Sequence, residues 1–239
     1  MTNQSVSQRL HDTLGHMIAS THPGDKLPSE PLLAKQLGVS RATLREAMRI
    51  FETQGLLRRR QGSGTFVNRP TQVIESGLEI LESIETLAQR IGLQVTMGAL
   101  QVERRSPKED ECKVLGIDCK VEVTSISRVI LAEGRPVAYL IDTLPQDILT
   151  PDELAEEEFT GSVLDLLLRR GEPPLMTSRT NIVAATASIE IARALGIQRG
   201  DVLLCFSAEL YTTSGRAIDY SYSYFLPGYF HFHVIRRVG

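Results

Sequence analysis

Apolar and polar positions alternate with two different periods along the chain, helical at the start and strand-like later. Val6, Leu10, Leu14, Met17 and Ile18 recur at helical spacing and predict one amphipathic helix. His22-Pro23-Gly24-Asp25 interrupts it. Ser29 is placed to cap a short second helix, with Pro31 in the first turn, where a missing N–H costs little. Leu32, Leu33, Ala34 and Leu37 supply its buried face, and Gly38 suits the left-handed residue that ends it. Ser40 can cap a third helix, in which Leu44, Ala47, Met48 and Phe51 follow the i, i+3, i+4, i+7 pattern. Then Leu56 to Arg60, Gln61-Gly62-Ser63-Gly64 and Thr65-Phe66-Val67 read as a strand, a glycine turn and a returning strand. That order is a winged helix-turn-helix.

Arg69-Pro70 marks a boundary, after which Ile74, Leu78, Leu81, Ile84, Leu87 and Ile91 predict a connecting helix. From about residue 94, runs rich in Val, Ile, Thr and Tyr predict strands at 95–103, 121–131, 135–144, 177–185, 201–213 and 216–237. Helical segments are expected at 152–158, 162–170 and 187–196, and no internal repeat is evident. The turns Ala132-Glu133-Gly134-Arg135 and Thr213-Ser214-Gly215-Arg216 suit hairpins. The expected fold is therefore α+β: a winged helix-turn-helix over 1–69, a connecting segment over 70–93, and over 94–239 a mainly antiparallel sheet with helices on one side.

Composition leaves this picture intact and narrows the setting. The 239 residues are 42% hydrophobic and 23% charged, near globular averages. No apolar run approaches bilayer length and the N-terminus has no signal-peptide pattern, so a cytoplasmic protein without a membrane partner is expected. Cys112, Cys119 and Cys205 lack metal-site spacing and are expected as buried or idle thiols in a reducing compartment. Charge is more informative: residues 1–68 hold nine Lys/Arg against five Asp/Glu, giving +4, whereas the whole chain is −3 and the remainder therefore −7. A basic head on an acidic body fits one end meeting a polyanion.

The third helix keeps its apolar side for the core and leaves Arg41, Ala42, Thr43, Arg45 and Arg49 on open faces. A recognition helix offers its first turns to the major groove, where Arg reads guanine with two hydrogen bonds. The wing adds Arg58, Arg59 and Arg60 beside two glycines that let backbone approach a phosphate. Leu27-Pro28-Ser29-Glu30, Leu33-Ala34, Leu37-Gly38-Val39-Ser40-Arg41, Thr43-Leu44-Arg45-Glu46-Ala47, Gly55-Leu56 and Gln61 to Val67 together closely resemble the GntR family of bacterial regulators. The resemblance implies binding to a short palindromic stretch of double-stranded DNA by a homodimer, with contacts from Arg41, Thr43, Arg45 and Gly62; Ser29, Ser40, Arg60 and Gln61 are further candidate DNA-binding residues. Pro31 stands where the family often has Arg, which removes a phosphate contact.

The C-terminal part resembles the UTRA domain of the HutC-type branch, which shares its fold with chorismate lyase. The similarity rests on Ser127-Arg128-Val129, Gly134-Arg135-Pro136-Val137, Leu144-Pro145, Ala192 with Leu195-Gly196, and Tyr211 with Gly215 and Ile218 to Ser221. It implies a small-molecule effector, with Arg128, Arg179, Glu209, Asp219 and Tyr224 as candidate binding residues. Relatives that bind phosphorylated sugars often carry a second Arg two positions after the first and an acid following the Gly-x-Pro turn. Those positions here hold Ile130 and Leu140, so the phosphate clamp is incomplete. An ion pair with a nearby acid is an equal alternative role for Arg128, and a tyrosine stripe such as Tyr220, Tyr222 and Tyr224 suits a core or an interface. His231 and His233 share a strand face but lack an acidic third ligand, so no metal and no cofactor is expected. No nucleophile–base pair or phosphate loop is visible, so an enzyme is not expected either, and fold kinship does not carry activity. The remaining alternative is a constitutive DNA binder whose C-terminal domain only dimerises.

Overall fold

The computed structural model describes residues 6–22, 24–53, 56–60, 62–67, 73–156 and 159–235. The chain divides into two compact units, Met1–Val73 with Leu226–Tyr229, and Ile74–Phe225 with Phe230–Gly239.

In the first unit α1 (Val6–Ser20), α2 (Glu30–Leu37) and α3 (Arg41–Thr53) precede an antiparallel hairpin of β1 (Leu57–Arg60) and β2 (Gly64–Val67). Their apolar faces meet in one core around Leu14, Leu33, Leu44 and Met48, none of which touches solvent. Each such side chain contributes about 1.5–3 kcal/mol. The turn between α2 and α3 is set locally. Gly38 takes φ 65° and its N–H reaches the Ala34 and Lys35 carbonyls, while Ser40 Oγ accepts the Thr43 N–H at 3.1 Å. The segment before α2 is laced to the wing: the Leu27 N–H donates to the Thr65 carbonyl at 2.8 Å, and the Val67 N–H to the Asp25 carbonyl at 2.8 Å. Glycine suits position 64 because its φ of 112° would strain any residue with a side chain.

The second unit contains β3 (Ile74–Gly77), α4 (Ile84–Arg90), β4 (Val95–Arg105), α5 (Glu109–Leu115), β5 (Val123–Ala132), β6 (Arg135–Pro145), α6 (Pro151–Glu156), α7 (Val163–Arg170), β7 (Leu175–Thr186), α8 (Ile189–Leu195), β8 (Val202–Thr212), β9 (Ala217–Phe225) and β10 (Phe230–His233). Six strands form an antiparallel sheet in the order β4-β5-β6-β9-β8-β7, and β3 pairs in parallel with β10.

Three expectations are corrected. A strand and a short helix replace the connecting helix expected from Ile74 to Ile91. The helical spacing ran across Gly77, a poor helix residue, whereas pairing with β10 satisfies that backbone and Ser83 starts a fresh helix by accepting the Thr86 N–H at 3.0 Å. Helices also cover both faces of the sheet and not one. Cross-strand neighbours share a face, and by register Ile126, Leu144 and Leu210 lie together under Leu154, Leu166 and Leu167 of α6 and α7. Tyr139 and Thr143 point the other way, toward Glu190 of α8 and Glu111 of α5. Cys112 and Cys119, expected as thiols, form a disulfide. Gly116, at φ 64°, turns the chain back after α5 and brings their Cα atoms to 5.5 Å. Cys205 is a buried free thiol.

The sheet also shows a duplication that was not evident in the sequence. β4-α5-β5-β6 and β7-α8-β8-β9 run in the same order, mirrored about the β6–β9 pair. Both seven-residue helices end at a left-handed glycine, in Leu115-Gly116-Ile117 and Leu195-Gly196-Ile197.

Candidate functional site

Two surfaces carry the candidate chemistry, one in each unit. In the first unit α3 buries Leu44, Ala47, Met48 and Phe51 and exposes Arg41, Ala42, Thr43 and Arg45. Arg41 has no ion pair among the described residues, so its guanidinium is available to a ligand. Thr43 Oγ1 and Ser40 Oγ lie 2.8 Å apart at the helix start, and both residues are exposed. Arg45 is held in place: its Nε lies 2.6 Å from Glu30 Oε2, and Glu30 also receives Arg59 of the wing at 2.9 Å. One carboxylate thus ties an arginine of α3 to an arginine of β1. Arg49 is taken by Glu46 at 2.7 Å. Arg60 stacks over the Phe66 ring at 5.2 Å, and Gly62 sits exposed at the wing tip with φ 75°. Ser29 is at the start of α2 but its hydroxyl makes no cap hydrogen bond. Gln61 lies outside the described residues.

In the second unit β5, β6 and β9 bring Arg128, Asp142 and Asp219 together, at 4%, 7% and 6% exposure. Register explains it: Arg128 faces Leu140, and Asp142 is the next residue of β6 on the same face. Arg128 donates a short hydrogen bond to Asp142. Arg128 thus forms an ion pair with Asp142 while its Nε is left without a partner. Asp219 lies beside Asp142 and the Thr143 backbone amide; burial pushes its carboxyl well above the usual range, and the neighbouring Asp142 adds to this. Glu85 of α4 neighbours Arg128, Asp142 and Asp165, and its carboxyl is likewise raised by burial. Ser83 ties α4 to α7 through Asp165 at 2.6 Å, and Phe159 covers the Arg128 guanidinium at 5.9 Å.

The other candidate residues lie elsewhere. Arg179 and Glu209 face each other across β7 and β8, and Tyr224 follows the same side of the sheet, opposite to Arg128 and Asp219. Glu209 accepts a short hydrogen bond from Tyr211, and Tyr224, beside Cys205 and stacked with Tyr222, is pushed up to about 12 by burial. The five residues expected as one set are thus two sets on two faces. That second face carries an open depression of about 620 Å³ near Tyr139, Glu190 and Arg193, away from the buried charges. Asp142 and Glu85, which adjoin Arg128, are not among the residues expected from the sequence. Asp142 was findable, since it shares the strand face of Leu140, the position expected to be acidic. Glu85 was not, because α4 was not expected to begin at Ser83. The rings of His231 and His233 are 6.0 Å apart, and no group of three metal-ligating side chains occurs among the described residues.

The raised carboxyls have a measurable consequence. An acid whose pKa is higher in the folded state contributes stability that is complete below its unfolded pKa and is lost as pH rises through the folded value. Asp219→Asn removes that loss. Its stability relative to the natural chain is expected to increase as pH rises above the ordinary carboxylate value of about 4, in urea melts at several pH values; a difference independent of pH would mean that the Asp219 carboxyl is not raised by folding.

The residues 6–67 match the model of bacterial regulatory proteins of the gntR family, and residues 90–231 match the UTRA domain. The chain belongs to the GntR family: it is a DNA-binding transcription regulator with a UTRA effector domain. The HTH-type transcriptional repressor NagR of Bacillus subtilis (strain 168) is 30% identical over 201 residues, covering 84% of this chain and 81% of that one. The mannosyl-D-glycerate transport/metabolism system repressor MngR of Escherichia coli (strain K12) is 27% identical over 230 residues, covering 92% and 91%. Among solved structures, PhnF from Mycobacterium smegmatis superposes with a TM-score of 0.65 at 24% identity, covering 96% of this chain and all of that one, which supports the fold.

Proposed function

We propose that this protein is a cytoplasmic homodimeric repressor, without catalytic activity, that releases a short palindromic operator when a small molecule binds around Arg128 and Asp219. The observation that carries the DNA half is the start of α3, where Arg41 and Thr43 stand exposed while Glu30 holds Arg45 and Arg59 in place. Two such heads would read half-sites about one helical turn apart. The names of NagR and MngR support repression. Dimerisation is supported by β7, an edge strand of the sheet that exposes Met176, Ile182 and Val183, a surface a second copy would cover. No described helix is long and apolar enough to cross a membrane.

Selection of bound duplexes from a random-sequence pool tests this reading. The expected product is an inverted repeat protected by a dimer; a pool without enrichment would remove the proposal. A constitutive binder is the second reading, favoured by the Arg128–Asp142 ion pair, which satisfies part of the site without a ligand. Melting in the presence of a metabolite library separates the two, since an effector raises the midpoint by mass action.

A further inference from the structure

We propose that the effector site around Asp219 takes a ligand bearing a protonated nitrogen, an ammonium or amidinium group, and not a phosphate. This rests on the effector reading above and specifies its chemistry.

Carboxyl groups outnumber cations around the site. Asp142, Asp219 and Glu85 are neighbours of a single guanidinium, that of Arg128, with Asp165 next to Glu85. Arg128 is already bonded to Asp142. The two strand positions from which a second cation could join it hold Ile130 and Leu140, at 1% and 6% exposure. An incoming phosphate would meet several acids and one engaged arginine.

Unmatched acceptors point the same way. Asp219 Oδ1 and Glu85 Oε1 are both buried without a hydrogen-bond partner, and so is Arg128 Nε. Asp219 retains only 6% exposure, so water does not readily serve it. Buried polar atoms in folded proteins almost always have a partner, and two orphaned carboxyl oxygens call for a donor. An ammonium or amidinium supplies several N–H donors and no acceptor, and its charge would favour the ionised form of the acids it meets. A hydroxyl or carbonyl elsewhere on the same ligand would meet Arg128 Nε. Gly161, buried at φ 119°, packs against Glu85, where a Cβ would stand 3.0 Å from Oε1. Burial raises the carboxyls of Asp219 and Glu85, and a bound cation would reverse that shift.

Thermal melts of the full chain test this with the simplest probes, methylammonium chloride, potassium phosphate and sodium chloride at equal ionic strength. Methylammonium at about 100 mM is expected to raise the midpoint over sodium chloride by roughly 2–4 °C, saturably. The gain should vanish in Asp219→Asn and shrink in Glu85→Gln; should Asp219→Asn fail to fold, Glu85→Gln carries the comparison. A gain from phosphate that is lost in Arg128→Lys, with none from methylammonium, would overturn the proposal and leave the effector reading standing. No gain from either ion would overturn both for this cluster.

Discussion

Arg41→Ala is expected to bind the selected operator roughly 10–100-fold more weakly than the natural chain, the loss of one bidentate arginine–base contact. Arg41 is the first residue of α3, exposed and without an internal ion pair among the described residues, so its removal leaves no buried group unmet. Thermal stability should therefore stay within about 0.5 kcal/mol of the parent. Binding to scrambled DNA should fall much less, because that affinity comes from phosphate contacts. Arg45→Ala should behave differently. It also frees Glu30, which then holds only Arg59, so part of its effect passes through the wing. Fluorescence anisotropy with operator and scrambled duplexes separates these cases.

Arg128→Met is expected to destabilise the second unit by about 3–5 kcal/mol, because it leaves buried carboxyls without their cation. The side chains of Arg128 and Asp142 are 5% and 10% exposed, so solvent cannot replace the lost partner. Asp219, already raised by burial and by Asp142, would be driven further toward its neutral form. Pairing Arg128→Met with Asp142→Leu should recover much of the loss, since an apolar pair of similar volume often matches a buried ion pair. Denaturant melts of the single and double variants measure this; a single variant as stable as the parent would show that the pair contributes nothing.

The two units were unequally legible in the sequence. In the first, each signal is local: Gly38 for a left-handed turn, Ser40 for a cap, the glycines of the wing for a hairpin. Local signals survive in the sequence because they need no distant partner. In the second unit the six strands of the main sheet were legible from their β-branched runs, but their arrangement was not, and the run expected as one strand over 216–237 is divided into β9 and β10. β3 exists because β10, far along the chain, pairs with it. Helix α5 buries only Glu111, Cys112 and Leu115, too short a stripe to register. Its clearest trace is Leu115-Gly116-Ile117, matched by Leu195-Gly196-Ile197, which also carries the duplication. For the candidate site, the resemblance names Arg128, Asp219, Arg179, Glu209 and Tyr224 together, because the faces of separate strands cannot be aligned without the register; the structure brings only the first two of them to one face. Asp142 and Glu85 required the folded sheet and the observed start of α4.

The most direct test is the ratio of operator to scrambled-duplex affinity at one fixed salt concentration, for the natural chain and Arg41→Ala. A ratio of at least about 10³ is expected for a sequence-specific regulator, falling with Arg41→Ala by roughly the factor given above. A ratio near one in the natural chain, or one that Arg41→Ala leaves unchanged, would contradict recognition through the start of α3.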